Sequence, residues 1–177
     1  MAPVVVTPDV LDRARRVRMI AMDVDGVLTD GGMYYGENGE ELKKFNTRDG
    51  MGIALARDAG LRMAILTRES TGIVARRAAK MKVEEVHIGI LDKLACMREI
   101  VARHGLTLDQ VAYVGDDVND YELLCHVGLA VAVRDAMRLP KSVAHYVTAA
   151  KGGEGAVREL CELVLEAQRE LPSLPEA

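Results

Sequence analysis

Met19-Ile-Ala-Met-Asp-Val-Asp-Gly-Val-Leu-Thr-Asp30 decides how this chain is read. The apolar run Met19 to Met22 reads as a buried strand that stops abruptly at Asp23, Val24, Asp25 and Gly26. Side chains alternate along an extended chain, so Asp23 and Asp25 can face one ligand together. Glycine at position 26 lets the chain turn away sharply. Open α/β sheets place their sites at the carboxyl ends of strands. Two carboxylates there repel each other and lose solvent, which makes a cation their natural partner. Alone, the triplet reads equally as a solvated turn, and the rest of the chain has to separate the two.

A chain of 177 residues suits a single domain spanning 1–177 with a sizeable core. Its net charge is −4, from 23 basic and 27 acidic residues, and it has no basic block, so nucleic acid is not an expected partner. No apolar run approaches the ~20 residues that span a bilayer, so no membrane partner is expected. The first residues lack the basic segment and long apolar core of a secretory signal, which points to a cytoplasmic protein. Cys96, Cys125 and Cys161 are odd in number and lack Cys-x-x-Cys spacing. They read as reduced core residues. With no Trp and one Phe, the core must be aliphatic and rich in Met.

Outward from the motif, Thr7-Pro8 opens a capped helix that ends near Arg16. The segment from about 31 to 45 holds two short strand-like runs around Gly36-Glu-Asn-Gly39, a projecting β-hairpin. Such a hairpin needs a cover, and a neighbouring subunit would provide one. Asn46-Thr-Arg-Asp-Gly50 precedes a helix from about Met51 to Asp58, with Asp49 placed to cap it and Gly60 to end it. Arg48 and the free amides there could also clamp an anion. A second buried strand, Leu61 to Leu66, ends in Thr67, a hydroxyl well placed for phosphate. The helix after it carries Arg76, Arg77 and Lys80 away from its apolar stripe. A third strand, Val83 to Ile88, leads to Lys93 in the first turn of a helix, where a cation is disfavoured unless an anion is near. A fourth strand, Val111 to Val114, ends in Gly115-Asp-Asp-Val-Asn-Asp120, whose carboxylates need a cation or lysine among them. Two short strands, the flexible polar loop Lys151–Gly155 and a closing helix from Ala156 to about Glu170 follow, with a loose tail at about 171–177.

Strands alternating with helices predict an α/β fold, a Rossmann-like doubly wound parallel sheet. Asp23, Thr67, Lys93 and Asp116 then meet on one edge of that sheet. The set supplies what phosphoryl chemistry requires. Asp23 is the candidate nucleophile. Asp25 would protonate the leaving alcohol and then activate water. Mg2+ would be held by Asp23, Asp116 and the backbone carbonyl of Asp25. Thr67 and Lys93 would bind the phosphoryl oxygens. Asp120 would orient Lys93 or support the metal's waters.

Together, Asp23-Val-Asp-Gly-Val-Leu-Thr-Asp30, Thr67, Lys93 and Gly115-Asp-Asp-Val-Asn-Asp120 resemble the haloacid dehalogenase superfamily of phosphatases, from about residue 17 to 170. The chain looks like the capless subgroup acting on phosphorylated 3-deoxy sugar acids. The further marks are Gly39-Glu-Glu-Leu-Lys-Lys-Phe-Asn-Thr-Arg-Asp-Gly50, Val111-Ala-Tyr-Val-Gly-Asp-Asp117 and Gly152-Gly-Glu-Gly-Ala-Val-Arg-Glu159. The resemblance implies a homotetramer with packed hairpins, no cap domain and active sites completed by a neighbouring protomer. It also implies that Asn46, Thr47, Arg48, Asp49 and Gly50 line the substrate pocket, overriding the plain helix cap.

Two substrates compete within that subgroup. Octulosonate 8-phosphate phosphatases usually carry Thr-Gly-Arg after the second strand, whereas this chain reads Thr67-Arg68-Glu69. Glu69 with Arg77 and Lys80 is similar to the pattern in phosphatases of nine-carbon 2-keto-3-deoxy acids, so the nononate 9-phosphate is the favoured expectation. The eight-carbon acid is its alternative. A reading of another class is a non-catalytic tetramerisation module, since similar domains occur fused to sugar-activating enzymes.

Overall fold

The computed structural model describes residues 6–168, so the tail expected at 171–177 lies outside the described residues. In chain order the elements are α1 (Pro8–Arg16), β1 (Met19–Met22), β2 (Tyr34–Gly36), β3 (Gly39–Leu42), α2 (Thr47–Asp58) and β4 (Arg62–Leu66). They continue with α3 (Gly72–Met81), β5 (Glu85–His87), α4 (Lys93–Arg103), β6 (Val111–Gly115) and α5 (Tyr121–Leu124). The last are β7 (Leu129–Ala132), α6 (Arg138–Val143), β8 (Tyr146–Val147) and α7 (Ala156–Gln168). Six strands form one sheet in the order β5-β4-β1-β6-β7-β8, every neighbour parallel.

All four residues of β1 are buried, and their alternation separates two cores. Ile20 and Met22 pack with residues of α1, α2, α3 and α7, while Met19 and Ala21 pack with residues of α4 and α5. The sheet is therefore doubly wound, as expected. From β1 the chain builds outward to β4 and β5 on one side, then returns to β6 on the other. That reversal leaves a crevice at the carboxyl end of β1, where such folds bind ligands.

Several local expectations are corrected. The helix expected from Met51 begins at Thr47, because the Asn46 side chain accepts the Arg48 N–H at 2.9 Å and is the cap. Asp49 sits one turn too far along to cap α2. It is buried, and its Oδ1 accepts the Arg158 N–H at 2.9 Å, capping α7 instead. The loop Lys151–Gly155 is not loose. Gly152 and Gly153 are buried against the turn after β1, with Gly153 N donating to the Val27 carbonyl at 2.9 Å. A Cβ on Gly152 would strike the Gly26 carbonyl, so only glycine permits this approach. Of the three free cysteines Cys161 is buried as expected, but Cys96 is only half-buried and Cys125 is exposed.

The hairpin β2–β3 stands off the main sheet, anchored by a bridge between Thr29 and Phe45. Tyr34, Tyr35 and Leu42 on it are exposed. No helix among the described residues is long and apolar enough to cross a membrane.

Candidate active site

Asp23 is the first residue beyond β1, tied to β6 by its N–H donating to the Val114 carbonyl at 3.1 Å. Its side chain is held at both oxygens. Oδ1 accepts the Val24 N–H at 2.6 Å, and Oδ2 lies 2.7 Å from Lys93 Nζ and 3.4 Å from Asn119 Nδ2. Lys93 opens α4, where Asp92 caps the helix by accepting the Ala95 N–H at 2.8 Å. The cation that the helix start disfavours is thus stabilised by carboxylates from other elements.

Asp120 is the second partner of Lys93, at 2.6 Å through Oδ1. The same oxygen accepts the Tyr113 hydroxyl at 2.5 Å, while Oδ2 accepts the Asp116 and Asp117 N–H groups at 2.9 and 3.3 Å. Both Asp120 oxygens are committed. Of its two expected roles the geometry selects the first, orienting Lys93.

Asp23, Asp116 and Asp120 each bring one oxygen within 4.8 Å of the others. Asp23 and Asp116 line the open cavity whereas Asp120 is fully buried behind it, so those two are the carboxylates placed to hold an ion. Three carboxylates against one ammonium leave two negative charges in surplus when all are ionised. Burial, then the Asp120, Asp23 and Asp117 carboxylates, push Asp116 up to about 8. Burial and Asp120 likewise raise Asp23 to about 6, overcoming the attraction of Lys93. Burial alone would depress Lys93, but the Asp23 and Asp120 carboxylates outweigh it and raise its pKa. A divalent cation fits that surplus, and oxygen ligands on a partly desolvated edge suit a hard ion. Gly26 (φ 80°) makes room, since a Cβ there would strike the Asp116 carboxylate.

Asp25 turns towards the same space but is anchored from the hairpin. Lys43 Nζ lies 2.6 Å from Asp25 Oδ1 and 2.7 Å from Glu40 Oε1, with the lysine side chain fully buried. Burial works against the Lys43 charge, and the hydrogen bonds to Asp25 and Glu40 more than restore it. Thr67 is buried at the tip of β4, its Oγ1 accepting the Glu69 N–H at 3.2 Å.

Asp23, Asp25, Thr67, Glu69, Asp116 and Asn119 line one cavity of about 350 Å³, with Lys93 buried beneath. The other substrate-binding candidates lie elsewhere in the single chain. Thr47, Gly50, Arg77 and Lys80 line a separate depression of about 310 Å³. Arg77 donates to the Asn46 carbonyl at 3.1 Å and stacks on Phe45 with its guanidinium 5.5 Å from the ring centre. Asn46 Nδ2 donates to the Gly153 carbonyl at 3.1 Å, and Arg48 is exposed. Asp49, 1% exposed and committed to α7, is sealed away from this chain's cavity.

Three site residues escaped the sequence reading. Lys43, in a charged run at the hairpin's foot, looks like a solvated lysine. Tyr113 looks like strand filling. Asn119 stands inside Gly115-Asp-Asp-Val-Asn-Asp120 as a neutral residue among carboxylates, and its spacing from Asp116 is the local signal that marks it.

A family model described as a haloacid dehalogenase-like hydrolase matches residues 61–160. A curated 3-deoxy-D-manno-octulosonate 8-phosphate phosphatase of Yersinia pestis is 45% identical over 166 residues, covering 94% of this chain and 89% of the relative. Its namesake in Escherichia coli K12 is 43% identical over 166 residues, with 94% and 88% covered. A crystal structure of the phosphatase of that name from Yersinia pestis superposes with a TM-score of 0.91 at 44% identity, covering 93% of this chain and 89% of the other. The 3-deoxy-D-manno-octulosonate 8-phosphate phosphatase of Moraxella catarrhalis, solved with magnesium, phosphate and the KDO molecule, superposes with a TM-score of 0.90 at 35% identity. That match covers 93% of this chain and 94% of the other.

Proposed function

The chain belongs to the haloacid dehalogenase-like hydrolases, and on that premise we propose that it is a cytoplasmic, Mg2+-dependent phosphatase of 3-deoxy-octulosonate 8-phosphate, built as one domain over 1–177. The observation that carries this is the near full-length likeness to phosphatases of that name, together with a cavity edged by an acidic cluster two charges in excess. A hydrolase of phosphate monoesters displaces the non-catalytic module as a reading.

Each residue then has a task. Asp23 Oδ attacks phosphorus, forming an aspartyl-phosphate as the ester P–O bond breaks. Asp25 gives its proton to the departing alkoxide oxygen. In the second half Asp25 takes a proton from water as that water attacks phosphorus, the P–O bond to Asp23 breaks and phosphate leaves. Lys93, Thr67 and the amides near them bind the phosphoryl oxygens, in place of water, as charge spreads over them. Mg2+, when bound by Asp23, Asp116 and the Asp25 carbonyl, supplies positive charge that lets an anionic nucleophile approach an anionic ester.

The nine-carbon reading favoured by the sequence gives way to its eight-carbon alternative, which the comparisons support better. One observation keeps it as a second reading. Glu69 lines the cavity itself, where it would accept hydrogen bonds from sugar hydroxyls. The assembly belongs to the same proposal. A homotetramer would cover the exposed Tyr34, Tyr35 and Leu42 and bring Asn46–Gly50, Arg77 and Lys80 towards a neighbour's cavity. Steady-state kcat/KM on octulosonate 8-phosphate and nononate 9-phosphate is the test. The proposal expects the eight-carbon ester to lead by at least about tenfold, roughly 1.4 kcal/mol in transition-state binding. A lead for the nine-carbon ester would reverse it.

A further inference from the structure

The contact between the hairpin and Asp25 has no assigned purpose. Lys43 is a lysine whose side chain is fully buried, and lysine is rarely buried without a specific partner. Its partners are two carboxylates, Asp25 Oδ1 at 2.6 Å and Glu40 Oε1 at 2.7 Å. The other oxygen of Asp25, Oδ2, is buried and makes no hydrogen bond. One carboxyl oxygen is therefore fixed and the other has no partner, and the residue itself lines the cavity together with Asp23 and Thr67. A buried carboxylate oxygen without a donor is costly and is expected where a ligand group will meet it.

We propose that Lys43 is a positioning residue for proton transfer. It clamps Asp25 through Oδ1 so that Oδ2 faces the oxygen of the leaving alcohol, and Glu40 in turn holds the ammonium in place. Glu40 and Lys43 both sit on the hairpin, one at the start of β3 and one just past its end. The hairpin thereby reaches into the catalytic cavity of its own chain. Without the clamp Asp25 can rotate, and small misplacements of a proton donor cost rate steeply. The inference rests on the phosphatase reading, because it needs Asp25 to carry the proton.

Leaving-group dependence tests it. An alkoxide needs a proton as it departs, whereas p-nitrophenolate leaves readily without one. The value of kcat/KM reports the first half-reaction, in which that proton moves, and is blind to the later hydrolysis of the aspartyl-phosphate. For Lys43→Met, kcat/KM on the preferred sugar-acid phosphate, eight- or nine-carbon, should fall about 10²-fold, within the range general acids contribute. On p-nitrophenyl phosphate it should fall no more than about threefold. Lys43→Arg should recover part of the sugar-acid rate. Glu40→Gln, which leaves the Lys43–Asp25 pair intact, should show the same selectivity in weaker form and remains measurable if Lys43→Met fails to fold. Equal losses on both esters, or no loss on either, would overturn the positioning role while leaving the phosphatase reading intact. Wild-type protein inert on all three esters would overturn the phosphatase reading and the inference with it.

Discussion

Two charged clusters, one at the tip of central β1 and one on edge strand β5, use similar groups and end in opposite states. On β5, Glu85 Oε2 lies 2.7 Å from His87 Nε2 and 2.8 Å from Arg103 Nη2, and Oε1 lies 2.8 Å from His104 Nε2. Burial alone would raise its pKa, but hydrogen bonds from His87, His104 and Arg103 prevail and bring it down to about 2. One carboxylate has more donors than it needs. At β1 the ratio is inverted, and Asp23 and Asp116 are both pushed up. A satisfied cluster fastens β5 to the end of α4. An unsatisfied one is kept at the sheet's edge at a cost in stability, which is expected where chemistry supplies the missing charge.

The contrast can be broken at several points. The largest effect is expected from Asp23→Asn, which should lower turnover on the order of 10³-fold or more while the fold remains, judged by circular dichroism. Wild-type-like phosphate release would remove Asp23 as nucleophile.

Next comes the pH dependence of stability. A carboxyl whose folded pKa is raised costs nothing below its unfolded pKa near 3.8, and its penalty grows as pH rises through the folded value. For Asp23 and Asp116 these folded values are about 6 and about 8. Thermal melts with chelator should therefore show Tm falling as pH rises from about 5 to about 8. Added Mg2+ should raise Tm more at the upper pH than at the lower, because it binds the ionised ligands. A Mg2+ effect that shrinks with rising pH would contradict the charge surplus.

The smallest effect is expected from the satisfied cluster. Glu85→Gln should cost on the order of 1–2 kcal/mol at neutral pH, a discounted figure because Arg103 stands half in solvent, and should leave kcat/KM unchanged. The sign is opposite to that at β1. A depressed pKa contributes stability above its unfolded value near 4.5 that is lost as pH falls towards about 2, so the variant's deficit should shrink in acid. Denaturant melts of both proteins across that range would show it.

How much of this was legible depends on how local each cause is. The β1 motif, Thr67, Lys93 and Asp116 could be read because each marks the end of an apolar strand or the start of a helix, signals carried within a few residues. The parallel sheet followed from their alternation. Asp49 was misread because its partner, Arg158 N, lies 109 positions away and nothing local announces it. Gly152 failed similarly, since a glycine-rich stretch reads as loose until another backbone is laid against it. Lys43 was invisible because a lysine in a charged hairpin reads as solvated, and its burial is set by Asp25 from another element. The boundary of α2 shifted because Asn46 and Asp49 are both good caps and only geometry chooses between them. Substrate length was least legible, because Glu69 argues one way and the likeness of the whole chain another.

On the proposed reading, the tip of β1 is a phosphatase centre that a divalent cation completes. Its most direct test is the release of phosphate from octulosonate 8-phosphate by chelator-stripped protein, before and after Mg2+ is restored. Turnover that is absent without the metal and returns with Mg2+ is the predicted result. Undiminished turnover in the stripped protein would contradict it.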